Sequence, residues 1–353
     1  MSLQKKIQSF DPNQLGRENS GIFGLPFTPE EARVVVVPVP WEVTVSYGGG
    51  TLRGPHGILE ASRQVDLYDP DLPDAWKLGV AMDPIPASLI RDSQKLRKLA
   101  VNCIEKLAQG RDPQNDKAMM KAYKDVNAGC TRMIKHVRDT TSRHLANNKM
   151  VALVGGDHST PLGFIEALAD KYKSFGILQM DAHADLREAY EGFRYSHASI
   201  MYNALKVRQV TRLVQAGIRD YCDEEVNVIR QSKGRVVTFF DRDIKRKLYA
   251  GQAMNSVHKE IVKKLPKLVY VSFDIDGLDP KLCPRTGTPV PGGFEFEEAL
   301  QLVKAVVDSG RMIIGLDVNE VSPGPDEWDA NVGARLLFRL INLMAASHSA
   351  IPR

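Results

Sequence analysis

Two histidines and at least four aspartates stand in three short segments with the spacing of metal ligands. The segments read Gly155-Gly156-Asp157-His158-Ser159, Asp181-Ala182-His183-Ala184-Asp185 and Ser272-Phe273-Asp274-Ile275-Asp276-Gly277-Leu278-Asp279-Pro280. In extended chain, residues i, i+2 and i+4 point to one side. Asp181, His183 and Asp185 therefore converge on one locus, with only small alanines between them, and Asp274 and Asp276 repeat the spacing. His158 follows two glycines, which let the backbone approach closely. Carboxylate oxygens with two imidazole nitrogens suit Mn²⁺, Fe²⁺, Co²⁺ or Ni²⁺ better than a thiolate zinc site would. Five or six ligands with four or more negative charges exceed the need of one ion, whereas two ions about 3.5–4 Å apart satisfy them and can generate a hydroxide nucleophile at neutral pH. A single aspartate at a strand end is usually a cap or turn former. The joint loading of three strand ends is what points to metal. Asp279, before Pro280, reads as a turn residue and stays outside the set, while Asp157 fits either role.

Each segment follows an apolar run, at 151–154, 175–180 and 268–273. Such runs read as buried parallel strands that deliver ligands at their C-terminal ends, where open α/β sheets place their sites. A first strand is predicted over 33–40, around four consecutive valines, and further strands over 150–154, 175–180, 211–217, 235–240, 268–274 and 312–317. Helices are predicted over 54–62, 93–109, 116–147, 160–172, 224–232, 253–265, 295–309 and 331–347. The alternation argues for βαβ units and a mainly parallel sheet. Residues 1–30 are polar and punctuated by Pro and Gly, and read as an arm laid on the surface or used in assembly. Residues 31–353 read as one catalytic domain. Within it, 66–86 carries Pro70, Pro73, Pro84 and Pro86 and reads as an irregular excursion.

The 353 residues are 43% hydrophobic, enough for an ample core. The formal net charge of +4 is spread along the chain, which gives no reason to expect a nucleic-acid surface. The four cysteines, at 103, 130, 222 and 283, form no C-x-x-C pair and read as free thiols of a reducing, cytoplasmic compartment. No apolar run approaches a signal peptide or a membrane span.

Together the three segments resemble the ureohydrolase family, which includes arginase, agmatinase and their relatives. The resemblance implies a three-layer α/β/α fold around a parallel sheet of about eight strands, and a dinuclear centre holding two Mn²⁺, with Ni²⁺ in some relatives. Carried over by motif, His158, Asp181, Asp185 and Asp274 would hold one ion and Asp181, His183, Asp274 and Asp276 the other, so that Asp181 and Asp274 bridge. Asp185 would also accept a hydrogen bond from the nucleophile. Tyr195-Ser196-His197-Ala198 is similar to the family's Y-S-H-G segment, whose His shuttles a proton. The alternative for His197 is a loop residue bonded to backbone. Glu320, in Asp317-Val318-Asn319-Glu320-Val321-Ser322-Pro323, resembles the glutamate of a D-x-x-E-x-x-P segment that pairs with a planar guanidinium; a cap or surface role is its alternative.

The implied reaction is hydrolysis of a guanidino group to urea. Thr286-Gly287-Thr288-Pro289 is similar to the agmatinase and arginase branches and places Thr288 among the substrate-binding candidates. Arginases carry an amino-binding Asp where this chain has Cys222, and the loop over 186–194 lacks their Asn- and Thr-rich pattern. Agmatine, giving putrescine and urea, is therefore the first expectation. Guanidine, giving urea and ammonia, is the main alternative, followed by arginine and guanidinoacids. Trp41 either narrows the pocket or packs in the core. A catalytically silent metal-binding subunit of a mixed oligomer is the non-enzymatic reading. The family's habit implies a homo-oligomer, trimeric or hexameric, without nucleic-acid or membrane partners.

Overall fold

The apolar runs become strands β1 (Val34–Val39), β2 (Val80–Met82), β3 (Met150–Gly155), β4 (Phe175–Met180), β5 (Val210–Ile218), β6 (Val236–Phe240), β7 (Leu268–Asp274) and β8 (Met312–Asn319). The structure is a computed structural model and describes residues 3–348 apart from Leu15 and Glu18. Its helices are α1 (Leu3–Ser9), α2 (Gly54–Ser62), α3 (Ala87–Ala108), α4 (Lys117–Ala146), α5 (Leu162–Lys171), α6 (Ile200–Ala204), α7 (Asp223–Gln231), α8 (Asp241–Tyr249), α9 (Met254–Val262), α10 (Phe296–Asp308) and α11 (Trp328–Ser347).

The strands form one sheet in the order β2-β1-β3-β8-β7-β4-β5-β6, and every pairing is parallel. Successive side chains leave a strand on opposite faces, and both faces are covered. Val151, Leu153, Ile177 and Tyr270 pack against α3, α4, α5 and α6. Ala152, Val154, Leu178 and Val271 pack against α2, α9, α10 and α11. The result is the three-layer α/β/α arrangement with an eight-stranded sheet that the motifs implied.

Helix α4 shows how a polar sequence is positioned. Its buried positions include Met119, Tyr123, Val126, Cys130, Met133, Val137, Thr141 and Leu145, spaced three or four apart as one apolar stripe. Asp116 caps its start by accepting from the backbone N–H groups of Ala118 and Met119, which satisfies two orphan donors of the first turn.

Several elements depart from the sequence reading, among them the short helices α1 and α6, where no helix was predicted. Strand β2 lies inside the stretch read as irregular; it is only three residues long and pairs with Val34, Val35 and Val36. Helix α8 was not predicted, because it is nine residues long, mostly charged, and turns only Ile244 and Leu248 toward the core. Helix α3 begins at Ala87, ahead of the predicted start, directly after Pro86. In the stretch read as an arm, Ile22, Phe23, Leu25 and Phe27 are buried in the core beside α2 and α11. Beyond β2, alternation turns Pro38 toward the unpaired side of β1, since the Val34 N–H donates to Gly79 and Val36 accepts from Asp83 on that side. Proline there leaves no orphan donor at the open edge. Among the described residues no helix is long and apolar enough to cross a membrane.

Candidate metal centre

The four central strands β3, β8, β7 and β4 end side by side, and their C-terminal ends bring the three motifs together. His158 follows β3, Asp181, His183 and Asp185 follow β4, Asp274 closes β7 with Asp276 two residues beyond, and Glu320 follows β8. His158 Nδ1 lies 3.0 Å from Asp181 Oδ2, 3.1 Å from Asp185 Oδ2 and 3.2 Å from Asp274 Oδ2. His183 Nδ1 lies 3.0 Å from Asp276 Oδ2 and 3.6 Å from Asp181 Oδ1. Two groups result, His158–Asp181–Asp185 and Asp181–His183–Asp276, in each of which the ligand atoms lie within 4.8 Å of one another. They share Asp181.

Local backbone hydrogen bonds aim the carboxylates. Asp181 Oδ1 accepts from the N–H of His183, Asp274 Oδ1 from that of Asp276, and Asp276 Oδ1 from that of Ala182. One oxygen of Asp274 and of Asp276 is thus held by the turn while the other faces the cluster. Asp185 and Glu320 both adopt left-handed backbone, at φ 55° and 61°. That is a costly conformation for residues with a Cβ, and it concentrates at functional sites.

The charge state of the cluster tests whether metal suits it. His158 Nε2 sits 2.9 Å from Ser272 Oγ, whose hydroxyl donates to Asp317 Oδ1. The hydrogen-bond network therefore places a proton on Nε2. The buried Nδ1 has no hydrogen-bond partner, and its lone pair faces three carboxylate oxygens. A divalent cation satisfies that arrangement and a neutral ring does not. Burial works against charge on both imidazoles, yet the surrounding carboxylates hold His158 well above the ordinary range and lift His183 to about 12. Burial, with the neighbouring carboxylates, pushes Asp274 far up and Asp185 to about 7. So many acids in one buried volume require positive charge between them. The donor set fits two divalent ions.

Around this cluster stand the groups expected to handle substrate. Glu320 Oε1 accepts from the N–H of His158 at 2.9 Å, while its Oε2 is buried without a partner. Burial, then Asp274 and Asp157, raise its carboxyl well above the usual range, so a cationic partner at Oε2 would be strongly favoured. A Cβ at Gly287 would stand 3.0 Å from that oxygen, so the glycine keeps the approach to Oε2 open. His197 lies in a short 3₁₀ turn, half-buried. Its Nδ1 is 3.2 Å from Ser196 Oγ and its ring meets Tyr190 edge-on at 6.1 Å. Burial, then His183, His158 and Arg97, lower its pKa to about 3, so the imidazole is neutral near pH 7. Thr288 is half-buried on the neighbouring loop and has no hydrogen bond to the cluster.

Other residues resolve into structural roles. Asp157 is buried and accepts from the N–H groups of Val43 and Ser159; it is a turn residue. Asp279 Oδ1 accepts from Lys281 N at 3.0 Å, away from the ligands. Trp41 is 1% exposed and belongs to the core. Cys222 caps α7, its N–H donating to Glu225. Gln179, Ser272 and Asp317, which touch the ligands from behind, were not singled out in the sequence. The one available signal was parity, since Gln179 and Ser272 each precede a ligand by two positions in a strand.

Residues 32–342 match the model of the Arginase family. The chain is 33% identical over 327 residues to the N(1)-aminopropylagmatine ureohydrolase of Thermus thermophilus, covering 91% of this chain and 94% of that one. It is 28% identical to the agmatinase of Halalkalibacterium halodurans, covering 84% and 86%. Among solved structures, the agmatine ureohydrolase of Thermoplasma volcanium superposes with a TM-score of 0.69 at 22% identity, covering 98% and 99%. The proclavaminate amidino hydrolase of Streptomyces clavuligerus does so at 0.71 and 23%, covering 95% and 100%.

Proposed function

The chain belongs to the Arginase family, and on that premise we propose that it hydrolyses an alkylguanidine carrying an amine tail, releasing urea and the corresponding amine. Agmatine, which would give putrescine, is the first candidate. Its N(1)-aminopropyl derivative stands beside it, because relatives named for that activity are about a third identical over most of the chain. The absence of a carboxylate side chain at Cys222 argues against an amino acid substrate held through its α-amino group.

The observation that carries this reading is the pairing of a two-cation ligand cluster with the partnerless buried oxygen of Glu320. Two divalent ions, when bound, supply activation of water at neutral pH and Lewis acidity at the reacting carbon. His158, Asp181, His183, Asp185, Asp274 and Asp276 would hold them, as manganese or nickel. Glu320 would grip the guanidinium through Oε2, a charge-assisted bond, and orient its carbon toward the cluster. Asp185 would accept a hydrogen bond from the attacking water and so fix its lone pair on that carbon. His197, neutral at working pH, would take up the proton given up by the attacking water and pass it to the departing nitrogen. One water enters, the bond from carbon to the alkyl-bearing nitrogen breaks, and the products are urea and an ammonium. Thr288 would line the tail of the substrate. The chain is proposed to work as a cytoplasmic homo-oligomer, trimeric or hexameric.

The test is urea release from agmatine, N(1)-aminopropylagmatine, guanidine, arginine and guanidinobutyrate, each with Mn²⁺ and with Ni²⁺. Turnover of the two amine-tailed compounds above the rest is expected. Turnover confined to arginine or to free guanidine would overturn the substrate class, and no urea from any of them would favour a silent subunit.

A further inference from the structure

We propose that Gln179, Gln215 and Thr238 form a charge-neutral hydrogen-bond chain that fixes the shared carboxylate of Asp181, which makes Gln179 a positioning residue of the metal centre. The inference rests on the metal reading of the cluster. It begins with register. Thr238 on β6 pairs with Gln215 on β5, Gln215 with Gln179 on β4, Gln179 with Ser272 on β7, and Ser272 with Asp317 on β8. Five adjacent strands thus carry a polar row at one level, on the face covered by α3–α6. Two residues earlier on the same face, Val236, Leu213, Ile177 and Tyr270 are buried and apolar. A sheet covered on both faces is ordinarily filled by such residues. A buried polar group without a partner costs about 1–3 kcal/mol, so a row of this kind persists only if it is fully satisfied.

The Gln179 half of the row is satisfied completely, and it points one way. Thr238 Oγ1 donates to Gln215 Oε1 at 2.7 Å. Gln215 Nε2 donates to Gln179 Oε1 and to the carbonyl of Ala184, each at 2.7 Å. Gln179 Nε2 donates to Asp181 Oδ2 at 2.8 Å and to the carbonyl of His183 at 3.1 Å. Both amide hydrogens and the oxygen of each glutamine are used, so neither side chain can flip without setting like atoms against one another. The oxygen that Gln179 reaches is the one facing His158 Nδ1. An amide brings a donor to that carboxylate without charge. A Lys or Arg there would compete with a cation for Asp181, and an Asp or Glu would add another acid to a crowded cluster. The same two amides hold the carbonyls of His183 and Ala184, and so aim the loop that carries His183 and Asp185. Polar partners behind metal ligands typically tune affinity 10- to 100-fold.

The experiment is calorimetric titration of Mn²⁺ into the ion-stripped full chain, with thermal unfolding of each variant alongside. Gln179→Leu should weaken Mn²⁺ binding on the order of 10- to 100-fold. Thr238→Val, three hydrogen bonds away from Asp181, should weaken it roughly 2- to 10-fold, the worth of one neutral hydrogen bond, and Thr238→Ser should restore it. In the Gln179→Leu background Thr238→Val should have no further effect on affinity, because the chain is already cut. A merely structural row would lower the melting temperature of Thr238→Val and leave Mn²⁺ affinity at the wild-type value, and that result overturns the proposal, as does strict additivity of the two substitutions. If Gln179→Leu does not fold, the Thr238→Val and Thr238→Ser pair decides alone. Wild-type chain that takes up no Mn²⁺ would overturn the metal reading itself, whereas wild-type uptake with unchanged variants overturns only the chain.

Discussion

Asp274 reaches His158 at 3.2 Å from one side while its other oxygen is pinned by the turn to Asp276, so no neighbour can replace it. Asp274→Ala should therefore abolish both metal occupancy and turnover, read by metal analysis and urea assay; an active variant would remove Asp274 from the centre. His197→Ala should leave occupancy intact and slow turnover on the order of 10²- to 10⁴-fold, the usual weight of a lost acid–base group, and unchanged kinetics would exclude His197 from the reaction. Glu320→Gln keeps an oxygen for the His158 N–H but loses the charge at Oε2. Its kcat/KM should fall about 10- to 100-fold, the worth of a hydrogen bond to a charged group, and an unaltered value would contradict the guanidinium role. Five of the six candidate ligands were legible because their spacing matches the two-residue period of extended chain, and His158 because it follows a glycine pair at a strand end. Gln179 and Ser272 were not, because a lone neutral residue inside an apolar run carries no period of its own. Only the pairing register shows that Gln179, Gln215 and Thr238 stand abreast.

The elements that deliver these residues were legible to different degrees, and the reason is burial. Strands β4 and β7 match their predicted bounds, because a strand enclosed on both faces is apolar along most of its length. Strand β2 is three residues long at the sheet edge, too short for a pattern. Helix α8 is nine residues long and mostly charged, so its apolar positions Ile244 and Leu248 are too few to stand out in the sequence. Close approach also operates at this scale. The turn from β3 to His158 passes so near β1's continuation that a Cβ on Gly156 would lie 2.0 Å from the Trp41 carbonyl, which already accepts from Asp157 N at 2.8 Å. Backbone on both sides cannot yield as a flexible side chain would. Gly156→Ala should thus cost about 1–3 kcal/mol of stability, the range for forced overpacking, and should disturb metal binding through His158. Denaturant unfolding would show it; wild-type stability would mean that the turn has room to shift.

For the whole molecule, the crowded acids make folding and ion binding one equilibrium. Carboxylates held this close repel unless cations lie between them, so chelation should lower the melting temperature and re-addition of Mn²⁺ should restore it. At free ion one hundred times the dissociation constant the gain is about 2.7 kcal/mol, and a melting temperature indifferent to chelator would count against a built metal centre. The three-layer frame, with four central parallel strands ending together, is what lets ligands distant in sequence share one volume; this was readable in outline from the alternation of apolar runs and helical stripes. The most direct check on the central claim is the rate of urea formation from agmatine, or from its aminopropyl derivative, followed as Mn²⁺ is returned to the stripped chain and plotted against ions bound per chain. The rate should rise with occupancy and level off at two ions. Full activity with one ion or none, or two ions bound and no urea formed, would contradict it.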